Sequence, residues 1–123
     1  MKKTIIISLL FLLILTACGN KATADPAQTV ERYLQAKANR DTDTIQQLLC
    51  SEMESVLERE SRTFESVTGV HIEDMACTDE GGGRVNCTGS IMATYGSEDT
   101  EFPLTAYRVV KEDGEWKWCG ESS

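Results

Sequence analysis

The sequence predicts an α+β domain, with helices packed on one face of a four-stranded antiparallel sheet. Two observations predict it. Apolar residues recur at spacings of three and four up to Val67, and beyond Gly69 the repeat becomes two, the period of a half-buried strand. In addition, Cys77 and Cys87 flank the run Gly81-Gly82-Gly83, which places a hairpin at the head of the second half.

The chain opens with a different kind of segment. Met1-Lys2-Lys3 is positive, Ile5 to Leu15 is an apolar block, and Leu15-Thr16-Ala17-Cys18 is a small-residue cleavage site ending in cysteine. This pattern resembles the bacterial lipobox. The resemblance implies a diacylglyceryl group on the Cys18 thiol, cleavage between Ala17 and Cys18, and an amine that can be acylated as well. Residues 1–17 then form a lipoprotein signal peptide, and the small, polar residues 18–24 form a lipidated tether. A membrane-spanning helix is the competing reading, but the apolar run of about 11 residues falls short of the roughly 20 needed to cross. Two or three acyl chains hold stably where a single chain binds marginally. The expected location is the cell envelope, on the extracytoplasmic side of a bacterial membrane.

The 123 residues leave room for one domain, residues 25–123, after the signal and tether. Loss of Lys2 and Lys3 with the signal moves the formal charge from −8 to −10. Such acidity argues against nucleic acid and against electrostatic docking on anionic lipid. It serves solubility and is compatible with a cationic partner.

In the domain, Asp25-Pro26 suits a helix start, with Asp25 as cap and Pro26 at the first position, where a missing N–H costs nothing. Val30, Tyr33, Leu34 and the aliphatic stem of Lys37 make one stripe of a helix running to about Arg40. Asp41-Thr42-Asp43 offers the next cap, and Ile45, Leu48 and Leu49 a short second helix ending near Cys50. Ser51-Glu52-Met53-Glu54 matches a capping box, and Met53, Val56, Leu57, Glu60, Phe64 and Val67 continue a third helical period to Gly69.

A first strand is expected near residues 70–78. Val85, Cys87, Gly89, Ile91, Ala93 and Tyr95 share one face of the second strand, and Arg84, Asn86, Thr88, Ser90 and Thr94 the other. Phe102, Leu104 and Ala106 begin a third strand whose register Pro103 or a bulge can shift, since Tyr107 and Val109 lie on the opposite face. Asp113-Gly114 is a two-residue turn into the last strand, Glu115 to Cys119.

With Cys18 committed to lipid, Cys50, Cys77, Cys87 and Cys119 remain, an even number in an exported domain, with three connectivities open. The central glycine cluster favours pairing Cys77 with Cys87 across a hairpin, which leaves Cys50 to Cys119. A zinc site is the alternative, but there is no Cys-x-x-Cys, and the only histidine, His71, stands apart.

The Asp-Pro helix opening, Asp-Thr-Asp followed by Leu-Leu-Cys, and the closing run Tyr107 to Cys119 together resemble the small nuclear transport factor 2-like (cystatin-like) domains of bacterial lipoproteins, over residues 25–120. The resemblance implies three helices against a strongly curved sheet, a cone with a pocket at its open end. It implies little about activity. Some members use an Asp, His or Tyr in the pocket, and many anchored ones are accessory binding or assembly domains.

His71 titrates nearest neutral pH and stands beside Glu73, so proton transfer is conceivable, although period two turns both away from Val70 and Ile72, which read as the core face. Trp116 and Trp118 share a strand face and suit stacking on a ligand or anchoring a partner, with Tyr95 as a further candidate. Core packing competes for the tryptophans, because Cys119, on the other face, points inward if it reaches Cys50. Glu52, Glu54, Glu58, Glu60 and Glu65 lack the spaced ligands of a calcium loop and read as a solvated helix face. Gly81-Gly82-Gly83 lacks the lysine and hydroxyl of a phosphate loop, and no Ser-His-Asp order can be assembled. No catalytic set, metal or cofactor is therefore expected. The expected function is a membrane-anchored, non-enzymatic domain that binds an unknown protein or small apolar ligand, or serves assembly. The alternative is a small pocket enzyme using His71, Tyr95 or Glu73.

Overall fold

The computed structural model describes residues 25–123; the signal peptide, the Ala17–Cys18 junction and the tether lie outside the described residues. Helix α1 spans Pro26–Ala38, and the Asp25 carboxylate accepts the Gln28 N–H at 2.8 Å, satisfying a first-turn amide. Its inner stripe buries Val30, Tyr33 and Leu34. Helix α2 spans Thr42–Leu48, capped by Asp41, which accepts from both the N–H and the hydroxyl of Thr44.

The third helical stretch differs from the sequence expectation. In place of one helix to Gly69 there is a 3₁₀ turn at Ser51–Val56, a short helix α3 at Leu57–Ser61, and turns to residue 66. The capping box does not form. Ser51 instead gives its N–H and hydroxyl to the Glu112 carboxylate at 3.1 and 2.8 Å, and the Cys50 N–H donates to the Trp118 carbonyl at 2.9 Å. These tertiary anchors hold the segment against the sheet edge and outweigh a local cap worth about 1 kcal/mol. At the far end the Ser61 and Thr63 hydroxyls turn back onto the carbonyls of Leu57 and Glu60, offering the backbone an alternative to further helix. Phe64 and Val67 are still buried.

The described residues form five strands rather than four: β1 (Thr68–Gly81), β2 (Arg84–Tyr95), β3 (Glu98–Pro103), β4 (Ala106–Glu112) and β5 (Glu115–Glu121). All pairings are antiparallel, in the order β1-β2-β4-β5, with β3 on the C-terminal half of β2. The expected third strand is split at Leu104-Thr105, directly after Pro103, which has no N–H for the ladder.

Gly89 lies at the same level as this break. The Leu104 N–H donates to the Gly89 carbonyl at 2.9 Å, and on the other side of β2 the register of β1 slips between Glu73 and Ala76, with Asp74 at a φ of 54°. Gly89 has a φ of 99°, and a Cβ there would stand 2.5 Å from the Glu73 carbonyl oxygen. Bulge, glycine and strand break occur side by side, the arrangement that bends a sheet.

The larger buried cluster joins Val30, Tyr33 and Ile45 of the helices to Val85, Val109 and Trp118 of the sheet; a smaller one holds Phe64, Val67, Ile91 and Ala93. Cys77 and Cys87 face each other in register with Cα atoms 4.1 Å apart, and Cys50 and Cys119 meet with Cα atoms 5.3 Å apart, both pairs at disulfide distance.

Candidate functional site

Between the helices and the bent sheet lies a cavity of about 730 Å³. α1 supplies Leu34 and Lys37, α3 and the turn after it supply Arg59, Glu60, Arg62 and Phe64, and the strands supply Ile91, Leu104, Tyr107 and Trp118. The inner wall is mostly apolar and aromatic. Tyr95 and Phe102 also line it; they are the large apolar side chains left exposed among the described residues, at 44% and 37%. Phe102 packs edge-on against both Tyr95 and Phe64, with ring centroids 6.2 and 6.0 Å away. These contacts make an aromatic strip leading inward from the surface.

The two tryptophans have different fates. Trp118 is 3% exposed, stacks on Tyr33 with centroids 3.9 Å apart, and forms part of the cavity wall. Trp116 is half-buried, does not line the cavity, and has the Lys111 ammonium 5.7 Å from its ring centre. Alternation leaves Cys119 on the other face of β5, where it is also buried. That side is covered by the chain after Leu49, which bridges in parallel to Trp118, and by the Glu52–Arg108 ion pair beside the Cys119 sulfur. Cys50, Glu52 and Cys119 come together there, with the two sulfurs at disulfide distance from each other, and a sulfur so paired has no thiolate for a metal.

Within the cavity wall the Lys37 ammonium meets the Glu60 carboxylate at 2.7 Å, with the Glu60 side chain 6% exposed. Glu60 is thus not part of the solvated helix face assigned to it from the sequence. The signal for its burial was present: Glu60 stands three residues after Leu57 and four before Phe64 on the inward stripe, as Lys37 does after Leu34 and Tyr33. Burial, and then the charge of Glu60, push the Tyr33 phenol well above its ordinary pKa. The Tyr33 hydroxyl and the Trp118 indole N–H are both buried without a hydrogen-bond partner among the described residues. Burial likewise raises Tyr107.

His71 and Glu73 come together with each other and not with the cavity. The His71 ring places Nδ1 at 2.7 Å from the Gly69 carbonyl and Nε2 at 3.0 Å from Glu73, both side chains being more than half exposed. The Gly69 carbonyl, followed by Glu73, raises the imidazole pKa. Neither residue lines the cavity, whereas Tyr95 does.

The arrangement of helices over a bent antiparallel sheet recurs in solved structures. A protein named Rd1NTF2_05, in a form with five substitutions, matches with a TM-score of 0.54 at 11% identity, over 75% of this chain and 90% of its own. A nuclear transport factor 2-like protein of unknown function in nutrient uptake from Rhodospirillum rubrum matches with a TM-score of 0.51 at 17% identity, over 80% and 96%. The domain has a nuclear transport factor 2-like fold. A SEC-C motif containing protein from Rhodopseudomonas palustris, RPA3114, is also similar to this nuclear transport factor 2-like domain, with a TM-score of 0.56 at 16% identity over 83% and 84% of the two chains. Neither a family model nor a curated protein matches the sequence. The resemblance therefore stands on fold, and a fold hosts many functions.

Proposed function

We propose that the chain is a membrane-anchored, extracytoplasmic lipoprotein whose nuclear transport factor 2-like domain binds a small, mostly apolar ligand without transforming it. The observation that carries the binding half is the cavity, about 730 Å³ walled by Leu34, Phe64, Ile91, Leu104 and Trp118. Such volumes and walls are those of small-molecule sites, typically about 300–1,000 Å³. The exposed Tyr95 and Phe102 give an apolar ligand a first foothold at the surface. The anchoring half rests on the lipobox-like run ending in Cys18. That a fold neighbour is described in terms of nutrient uptake agrees with capture of a small solute at a membrane surface.

Two measurements test the reading. Cys18→Ser should move the protein from the membrane fraction to the soluble one and remove the lipid mass; unchanged fractionation discards the anchor. Native mass spectrometry of the lipoprotein taken from cells should show an added small-molecule mass that denaturation releases. A clean apo spectrum, with no quenching of Trp118 by apolar probes, discards the binding function.

A specific observation bears on the enzymatic alternative. The buried carboxylate in the cavity belongs to Glu60, and of His71, Tyr95 and Glu73 it is Tyr95 that lines the cavity, so acid–base chemistry there would fall to Glu60 or Tyr95 and not to His71 or Glu73. Glu60 is ion-paired with Lys37 at 2.7 Å.

A further inference from the structure

The charge around the cavity departs from that of the rest of the domain. Residues 25–123 carry 20 acidic and 9 basic side chains, yet three of the nine basic ones line the cavity, Lys37, Arg59 and Arg62, against two of the 20 acidic ones, Glu60 and Glu121. Lys37 and Glu60 neutralise each other at 2.7 Å inside the wall. That leaves Arg59 and Arg62 against Glu121. Both arginines are exposed, one turn apart at the end of α3. Arg62 makes exposed pairs with Glu58 and Glu65 at 3.1 and 3.8 Å, and Arg59 has no ion pair among the described residues. The rim of this apolar cavity thus carries two arginines in a strongly acidic domain, Arg59 without an ion pair among the described residues and Arg62 shared with Glu58 and Glu65. Random placement on so acidic a surface would favour the opposite sign, and a cationic rim repels cationic ligands while attracting anionic ones.

We propose that the ligand is a single-chain anionic amphiphile, an alkyl carboxylate, with its chain among Leu34, Phe64, Ile91, Leu104 and Trp118 and its carboxylate at Arg59 and Arg62. This rests on the binding function above and specifies its ligand. The assignment to one chain follows from size, because about 730 Å³ accommodates one alkyl chain and not the paired chains of a membrane phospholipid. The assignment to a carboxylate follows from guanidinium chemistry, since Arg presents a planar fork of N–H donors matched to a carboxylate's two oxygens. Arg59, with no ion pair among the described residues, is the stronger contributor; Arg62 must share its donors with Glu58 and Glu65.

The test uses the mature lipoprotein in phosphatidylcholine nanodiscs, with empty discs subtracted. A Trp116→Phe background leaves Trp118, in the cavity wall, as the sole tryptophan reporter. Decanoate, decanol and decyltrimethylammonium are titrated below their micellar concentrations. Decanoate is expected to bind about tenfold more tightly than decanol, the scale of one charge-assisted contact, and decyltrimethylammonium more weakly than either. An Arg59→Gln, Arg62→Gln double variant should abolish the decanoate preference while leaving decanol affinity within about twofold, which also shows that the cavity is intact. Equal binding of the three probes, or a preference that survives the double variant, overturns the anionic assignment and leaves the binding function standing. Absence of quenching by all three overturns both.

Discussion

Lys37 and Glu60 form an ion pair of 2.7 Å between two helices that are separate in sequence, inside a wall that is otherwise largely apolar. Removing one member leaves the other charged and desolvated, whereas removing both leaves an apolar wall. Lys37→Met should therefore lower stability in urea by about 3 kcal/mol, somewhat eased by the partial exposure of Lys37. The double variant Lys37→Met, Glu60→Leu should return to within about 1 kcal/mol of the parent. Equal losses in the single and double variants would mean that the pair is net stabilising.

The two cysteine pairs differ in the chain they close. Cys50 and Cys119 are 69 residues apart in sequence and Cys77 and Cys87 are 10 apart. Chain entropy alone makes the first worth about 4 kcal/mol and the second about 3. The longer bridge also secures the chain after Leu49 against β5 and thereby the wall that Trp118 provides. Thermal melts should rank Cys50→Ser, Cys119→Ser below Cys77→Ser, Cys87→Ser. Only the former should lose quenching of Trp118 by apolar probes.

Gly89 is expected to be the least replaceable glycine. Alanine there would set a methyl 2.5 Å from one backbone carbonyl oxygen and 2.6 Å from the next, in a left-handed conformation. Gly82 is also left-handed at 64° but meets no atom within 4 Å. Gly82→Ala should cost only the left-handed penalty of about 1–2 kcal/mol. Gly89→Ala should exceed about 4 kcal/mol or fail to fold, read from urea midpoints and soluble yield.

Two exposed groups give pH dependences of opposite sign. The folded-state pKa of His71 is raised above 6.5, so its contribution is fully present below pH 6.5 and is lost as pH rises through the raised value. Asp41 is lowered below 3.8, chiefly by the Thr44 hydroxyl, so its contribution is present above that value and lost as pH falls through the folded one. Chemical denaturation across pH should show His71→Gln removing a decline above neutrality, and Asp41→Asn removing part of the acid limb. An NMR titration of His71 with a midpoint at or below 6.5 would contradict the first.

Much of the fold was legible because its signals are local. Asp25 and Asp41 cap the helices they precede, the period changes at Gly69, and the Asp113-Gly114 turn takes positive φ at both residues, as a tight hairpin requires. The facing of Cys77 and Cys87 follows from a turn midway between them. Other features were illegible because the deciding partner is far away. Ser51 reads as a helix cap until Glu112, 61 residues on, takes its donors. Trp116 and Trp118 read as equivalent until Tyr33 covers one and leaves the other at the margin. Glu60 stands on an inward stripe in the sequence, but its partner Lys37, 23 residues away, is brought to it only by the fold.

From the sequence by itself came the α+β division, the first two helix starts, the hairpins at Gly81-Gly82-Gly83 and Asp113-Gly114, and most of the inward faces, since each depends on backbone preference and side-chain period within a few residues. Tertiary structure alone decided that the third helix is cut short, that the third strand splits opposite Gly89, and that a cavity with an ion pair in its wall remains between the layers. Those outcomes depend on carbonyls, carboxylates and rings that meet only once the chain has closed. Their energies, a few kcal/mol each, outweigh the local preferences they override.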